Sequence, residues 1–243
     1  MVVEAGTTRV LLDCGFAVRE AVARLARVGL AVEDLAGIIV THEHGDHADG
    51  VFPLARRFGI PVWLTHGTLE ALREVDTRSD TDCRVNFVRS GEDCAIGEIL
   101  VQPYTVPHDA REPVQYVLTD GARRLGVLTD AGCSTAHIET SLSGCDALVL
   151  ECNHDLDMLM NGEYPPALKA RVAGRLGHLD NRTSATLLAA LDRRRLKHVI
   201  AAHLSQKNNT PDLARGALAA ALDCAEEWVA VATQDQGFDW RGL

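Results

Sequence analysis

The chain predicts an α/β fold of two packed β-sheets with helices on the outer faces. Three features lead there: strand and helix patterns alternate in the first and last thirds, residues 84–130 read as strands joined by tight turns, and no Pro/Gly/Ser-rich linker separates these parts. Two sheets with helices outside bury the apolar faces that such an order creates. The 243 residues are expected to form one domain, 1–243, long enough to enclose a large core.

The elements follow in order. Thr8 to Asp13 reads as a strand that turns at Cys14-Gly15. A helix follows with Val18, Ala21, Val22, Leu25 and Val28 on one face and Gly29 as its stop. The apolar run Gly37-Ile38-Ile39-Val40 is a buried strand, Val51 to Phe58 a short helix ending at Gly59, and 61–64 another strand. Thr68 is expected to cap a helix reaching about Val75. Thr119-Asp120-Gly121 marks a turn between two strands. Beyond Asp130 come a strand over 146–151, a helix over 165–175 and a helix to about Leu191 capped by Thr183. A strand over 198–202, a helix over 211–222 and a strand over 228–232 complete the chain.

Hydrophobic residues make up 47% and charged residues 24%, near globular averages, which argues against disorder. The formal net charge of −10 argues against nonspecific coating of nucleic acid by a basic surface. It permits nucleic acid at a cleft whose local field is set by bound cations. Seven scattered cysteines with no C-x-x-C pair fit reduced thiols, and no signal-peptide or membrane-spanning pattern is present; a cytoplasmic protein is expected.

The chemistry concentrates in Thr41-His42-Glu43-His44-Gly45-Asp46-His47, directly after the apolar run. Imidazole nitrogen and carboxylate oxygen are ligands that zinc and related first-row metals accept. Three further candidates each follow an apolar strand: His108, Asp130 and His203. Ligand-binding groups gather beyond the carboxyl ends of such strands. His42, His44 and His108 are expected to hold one divalent ion, Asp46, His47 and His203 a second, with Asp130 bridging. Zinc is the first choice, with manganese or iron as alternatives. Such a pair activates water at neutral pH and clamps the entering and leaving oxygens of a displacement. His66, His137 and His198 fit no ligand series.

This series resembles the metallo-β-lactamase superfamily, over nearly the whole chain. Residues 107–116 (PHDAREPVQY), 150–155 (LECNHD), 177–181 (GHLDN) and 202–211 (AHLSQKNNTP) are similar to its YycJ/WalJ-type subgroup. The resemblance implies an αββα sandwich, two metal ions and a phosphodiesterase of the 5′-to-3′ exonuclease kind, acting on nucleic acid ends. Family members begin with a strand and a Gly/Ser-rich turn ahead of the stretch matching Val2-Val3-Glu4, and the chain is expected to lack that first strand.

A bridging Asp130 fits phosphodiesterases and glyoxalase II-like thioesterases, and argues against true β-lactamases. Glu151 and His178 resemble, in order and context, the pair of ribonuclease Z that protonates the leaving alkoxide. Asp46, Asp130, Glu151 and His178 are thus the expected catalytic residues. Ser205, Asn208, Arg111, Arg182 and His154 are the candidate substrate contacts, arginine forks being matched to phosphate. The main alternative is a small-molecule hydrolase, such as a thioesterase, lactonase or weak β-lactamase, on the same two metals; a non-catalytic metal-binding module is the third reading.

Overall fold

The computed structural model describes residues 1–77 and 80–243. The chain divides into two compact units, Met1–Thr105 with Ala110–Gly121, and Val106–Asp109 with Ala122–Leu243.

The first unit opens with β1 (Val2–Ala5) antiparallel to β2 (Thr8–Leu12). It continues through α1 (Val18–Arg27), β3 (Gly37–Ile39), the single turn α2 (Gly45–Ala48), α3 (Val51–Phe58), β4 (Val62–Leu64), α4 (His66–Val75) and β5 (Val85–Phe87). The five-stranded sheet has the order β1-β2-β3-β4-β5 and is parallel from β2 onward. The strands β6 (Cys94–Ile96), β7 (Ile99–Thr105) and β8 (Val114–Thr119) then pair antiparallel in sequence. Ile38, Ile39 and Val40 are fully buried, so β3 is apolar without alternation, as a parallel strand covered on both faces must be. Each such side chain contributes about 1.5–3 kcal/mol relative to exposure. That core fixes where β3 ends and the ligand segment begins.

Helix α1 buries Ala21 and Leu25, whereas Val22 lies at the margin of the apolar stripe and is exposed. α3 ends at Gly59 with φ +70°, the left-handed stop expected there. The cap of α4 is Thr65, not Thr68: the Thr65 hydroxyl accepts from the Thr68 N–H at 3.2 Å. Gly15 has a steric reason, since a Cβ there would meet the Asp46 carbonyl oxygen at 2.1 Å. The turn after β2 can therefore pack directly against the backbone of the ligand segment.

In the second unit, β9 (Arg124–Leu128), α5 (Ala136–Leu142), β10 (Ala147–Glu151), α6 (Leu156–Asn161) and α7 (Pro166–Val172) are followed by α8 (Asn181–Ala190), β11 (His198–Ala202), α9 (Pro211–Leu222) and β12 (Val229–Val231). The strands pair parallel in the order β12-β11-β10-β9, with Glu151 in register with Ala202. The helix expected over 165–175 ends at Val172, where Gly174 and Gly177 turn the chain back and the His178 N–H donates to the Val172 carbonyl at 2.9 Å. α8 is capped by Asp180, not Thr183: its carboxylate accepts from the N–H groups of Arg182 and Thr183 at 2.8 and 3.1 Å. Gly132, two positions beyond Asp130, lies against the Arg175–Leu176 peptide, where a Cβ would meet the Arg175 carbonyl carbon at 2.3 Å. Among the described residues no helix is long and apolar enough to cross a membrane.

Candidate metal centre

Each unit carries a donor set at the carboxyl ends of its parallel strands. In the first, β2 and β3 run side by side, so Asp13 and the 41–47 segment emerge together. Asp13 takes φ +55°, a left-handed conformation that Asp tolerates. Its carboxylate accepts from the Thr41 N–H and the Thr41 hydroxyl, both at 2.8 Å, and lies 2.8 Å from His47 Nδ1. The hydroxyl proton is thereby committed, so the Thr41 oxygen accepts from His42 Nδ1 at 2.9 Å. Both rings are set in the tautomer whose Nε2 can ligate. The Tyr116 hydroxyl donates to the Val40 carbonyl at 2.6 Å and the Val114 N–H to the Thr41 carbonyl at 3.0 Å, pinning the segment.

His42 Nε2 and His44 Nδ1 lie 3.0 Å apart. Two nitrogens each 2.0–2.1 Å from a tetrahedral zinc would be about 3.3 Å apart. The donor types and their spacing therefore fit a divalent ion. Asp46 is exposed, with one oxygen 3.5 Å from His47 Nε2. Glu43 accepts from the Arg111 N–H at 2.7 Å, and its other oxygen is buried without a hydrogen-bond partner among the described residues. The Arg111 guanidinium pairs with Glu74.

Asp13, which lies outside the ligand series, is placed by its contacts to orient His47. Its signal was present in the sequence, because it follows the apolar stretch of β2 just as Asp130 follows that of β9. Asp13→Asn removes the charge that holds His47 in its ligating tautomer. Metal affinity is expected to fall about 10–100-fold. Titration against a competing chelator checks this, and wild-type affinity in the variant would remove Asp13 from the site.

The second unit gathers His108, Asp130, Glu151, His178 and His203. Glu151 ends β10, Asp130 and His203 follow β9 and β11, and His178 precedes α8. Ligand atoms of Asp130, Glu151, His178 and His203 all lie within 4.8 Å of one another. Glu151 Oε2 accepts from the N–H groups of Ala131 and Leu179, at 3.0 and 3.1 Å. Its Oε1 lies 2.9 Å from His178 Nδ1 and 3.0 Å from His203 Nδ1. Asp130 Oδ1 stands 3.3 Å from His178 Nδ1, 3.5 Å from His203 Nδ1 and 3.7 Å from His108 Nε2. His108 donates through Nδ1 to the Gly177 carbonyl at 3.0 Å, which leaves Nε2 as its ligating atom.

Two buried carboxylates side by side are costly unless cations face them. For His178, burial disfavours the charged ring. The Glu151 hydrogen bond and the charges of Glu151 and Asp130 outweigh it and raise its pKa above the ordinary imidazole value.

A buried amide network fixes the backbone under these donors, and no local pattern announced it. Asn153 Nδ2 donates to the His203 carbonyl at 3.0 Å, and Asn209 Nδ2 to the Cys152 carbonyl at 2.7 Å. Asn181 and Asn209 exchange a pair of hydrogen bonds at 2.9 and 2.8 Å. His203 itself sits at φ +56°, a conformation held by this network.

Of the candidate substrate contacts, His154 is buried, and its Nε2 has no hydrogen-bond partner among the described residues. Burial lowers its pKa against the opposing pull of Asp180 and Glu151. The Ser205 hydroxyl accepts from the Asn208 N–H at 3.2 Å, and Asn208 is buried. Arg182 is exposed, and its guanidinium has no ion-pair partner among the described residues.

Residues 8–203 match the β-lactamase superfamily domain. The exodeoxyribonuclease YycJ of Bacillus anthracis is 34% identical over 215 residues, 88% of this chain and 81% of that protein. The metallo-β-lactamase fold protein YhfI of Bacillus subtilis superposes with a TM-score of 0.76 at 17% identity, over 99% of this chain and 90% of that one. Zinc-bound PqqB of Methylobacterium extorquens gives 0.72 at 19% identity, over 98% and 85%. The fold is thus that of two mixed β-sheets with helices, and it carries residue clusters that could hold divalent metal ions. By domain match and by identity across most of its length, the chain belongs to the metallo-β-lactamase superfamily.

Proposed function

We propose that the protein is a metal-dependent phosphodiesterase that removes nucleotides from the 5′ end of single-stranded nucleic acid. The observation that carries this reading is the 2.9 Å contact between His178 and Glu151 inside the donor cluster of the second unit. A departing sugar oxygen needs a proton, and an imidazole whose charged form is favoured by neighbouring carboxylates can deliver one. The likeness to the exodeoxyribonuclease YycJ supports the same substrate class.

In this reading His42, His44, Asp46, His47, His108, Asp130 and His203 are the ligands of two divalent ions. Zinc is the first choice, with manganese or iron as alternatives. When bound, such ions supply an activated water and neutralise charge on the phosphoryl oxygens. Asp46 and Asp130 would orient an attacking water. Glu151 holds His178 through Nδ1, so that Nε2 faces the leaving oxygen and donates to it. Arg182 meets a substrate phosphate, and Ser205 and Asn208 line the approach. Arg111 joins them only by exchanging Glu74 for phosphate, and His154 offers Nε2. All seven cysteines are free thiols, which supports a cytoplasmic setting.

The test uses protein loaded separately with zinc and with manganese, given 3′-labelled single-stranded DNA and RNA with and without a 5′-phosphate. Mononucleotides leaving progressively from the 5′ end are expected. Absence of cleavage with metal bound, together with hydrolysis of a thioester or lactone, would replace this reading with that of a small-ester hydrolase. A thiolate leaves without a proton, so such an enzyme would make no use of the Glu151–His178 pair.

A further inference from the structure

A net charge of −10 repels a polyanion, so a nuclease of this composition needs local cations that are not already neutralised. Several arginines are engaged by carboxylates: Arg9 by Glu4, Arg171 by Asp109, Arg195 by Asp146. Lys207 differs. It is exposed on the loop after β11, has no carboxylate partner among the described residues, and lies with Nζ 5.9 Å from the centroid of the Tyr164 ring. Tyr104 and Tyr116 are buried in strands, whereas Tyr164 stands half-exposed in the turn between α6 and α7.

The pair rests on a rigid base. The Asp155 N–H donates to the Asn208 carbonyl at 2.8 Å, and Lys169 Nζ to the Met160 carbonyl at 2.7 Å. The turn approaches so closely that a Cβ on Gly162 would meet Asn208 Oδ1 at 2.8 Å. Leu156 and Met160 of α6 add exposed apolar surface. The Lys207 loop leaves the end of β11, which carries the donor His203. Lys207 follows His203 by four positions, which bounds their separation at about 14 Å, a few nucleotides of single strand.

An aromatic face beside an unneutralised cation is the combination that holds single-stranded nucleic acid without reading its sequence. We propose that Tyr164 and Lys207 form a single-strand subsite, in which a nucleobase stacks on the Tyr164 ring and the adjoining phosphate pairs with the Lys207 ammonium. The subsite rests on the nuclease reading above and gives it a grip on the strand beyond the scissile bond. The ammonium gives up no carboxylate in doing so.

The test measures binding of a 3′-fluorescein oligothymidylate phosphorothioate to the metal-loaded full chain by anisotropy across a salt series. Hydrolysis of bis-p-nitrophenyl phosphate serves as control. Tyr164→Ala is expected to weaken oligonucleotide binding about tenfold and Tyr164→Phe to retain it. Lys207→Gln is expected to reduce the slope of log affinity against log salt by about 0.7. Hydrolysis of the small diester stays at the wild-type rate in all three. Unchanged affinity in Tyr164→Ala, or an unchanged salt slope in Lys207→Gln, overturns the subsite. Lys207 is exposed, so the salt slope decides even where Tyr164→Ala folds poorly. If the wild type hydrolyses the small diester but binds no oligothymidylate, the nuclease reading falls and the subsite with it. If the wild type binds and the variants match it, only the subsite falls.

Discussion

Replacing His178 with Gln is expected to lower kcat on a dinucleotide about 10²–10⁴-fold while leaving bis-p-nitrophenyl phosphate hydrolysis nearly unchanged. The amide still donates a hydrogen bond toward Glu151 Oε1, which accepts from His178 at 2.9 Å in the wild type, so the cluster keeps its shape. What it loses is a proton to give. A sugar alkoxide cannot leave without one; a nitrophenolate can. Metal content should be unchanged, because His178 is assigned no ligand role. Equal loss on both substrates, with metal retained, would mean that His178 acts before or apart from leaving-group departure. A Glu151→Gln variant should lose dinucleotide cleavage too, since the neutral side chain no longer favours the charged imidazole. It should also bind metal about 10–100-fold more weakly, because Oε1 lies 3.0 Å from Nδ1 of the proposed ligand His203.

His44→Ala is expected to abolish metal-dependent hydrolysis and to weaken metal binding by at least about 100-fold, beyond the usual loss for an outer partner of a ligand. The ring lies 3.0 Å from His42 Nε2 and is only half-buried, so its removal takes one donor without opening the core. Secondary structure by circular dichroism should match the wild type, which separates loss of metal from loss of fold. Calorimetric metal titration beside the activity assay gives the readout. Full activity with full metal content in the variant would sink the ligand assignment.

Much of the first unit was legible because its signals are local. The uninterrupted apolar run of β3, the His-rich segment after it, and the glycine stops at Gly29 and Gly59 each lie within a few residues of what they specify. The capping errors are equally local in origin. Thr65 and Thr68, like Asp180 and Thr183, are both able to cap and stand three positions apart. Only the folded helix shows which side chain meets which free N–H. The short elements β1, α5 and α6 passed unnoticed because four to seven residues hold too few periods to distinguish.

The sequence by itself determined the superfamily, the strand-end position of the donors and the residue types that suit a divalent ion. The tertiary structure alone decided what else orients them: Asp13 against His47 across 34 positions, Glu151 against His203 across 52, and Asn181 against Asn209 across 28. Ligand type and periodicity are written along the chain. A hydrogen bond between distant residues depends on strand order and packing, which neighbouring residues do not encode.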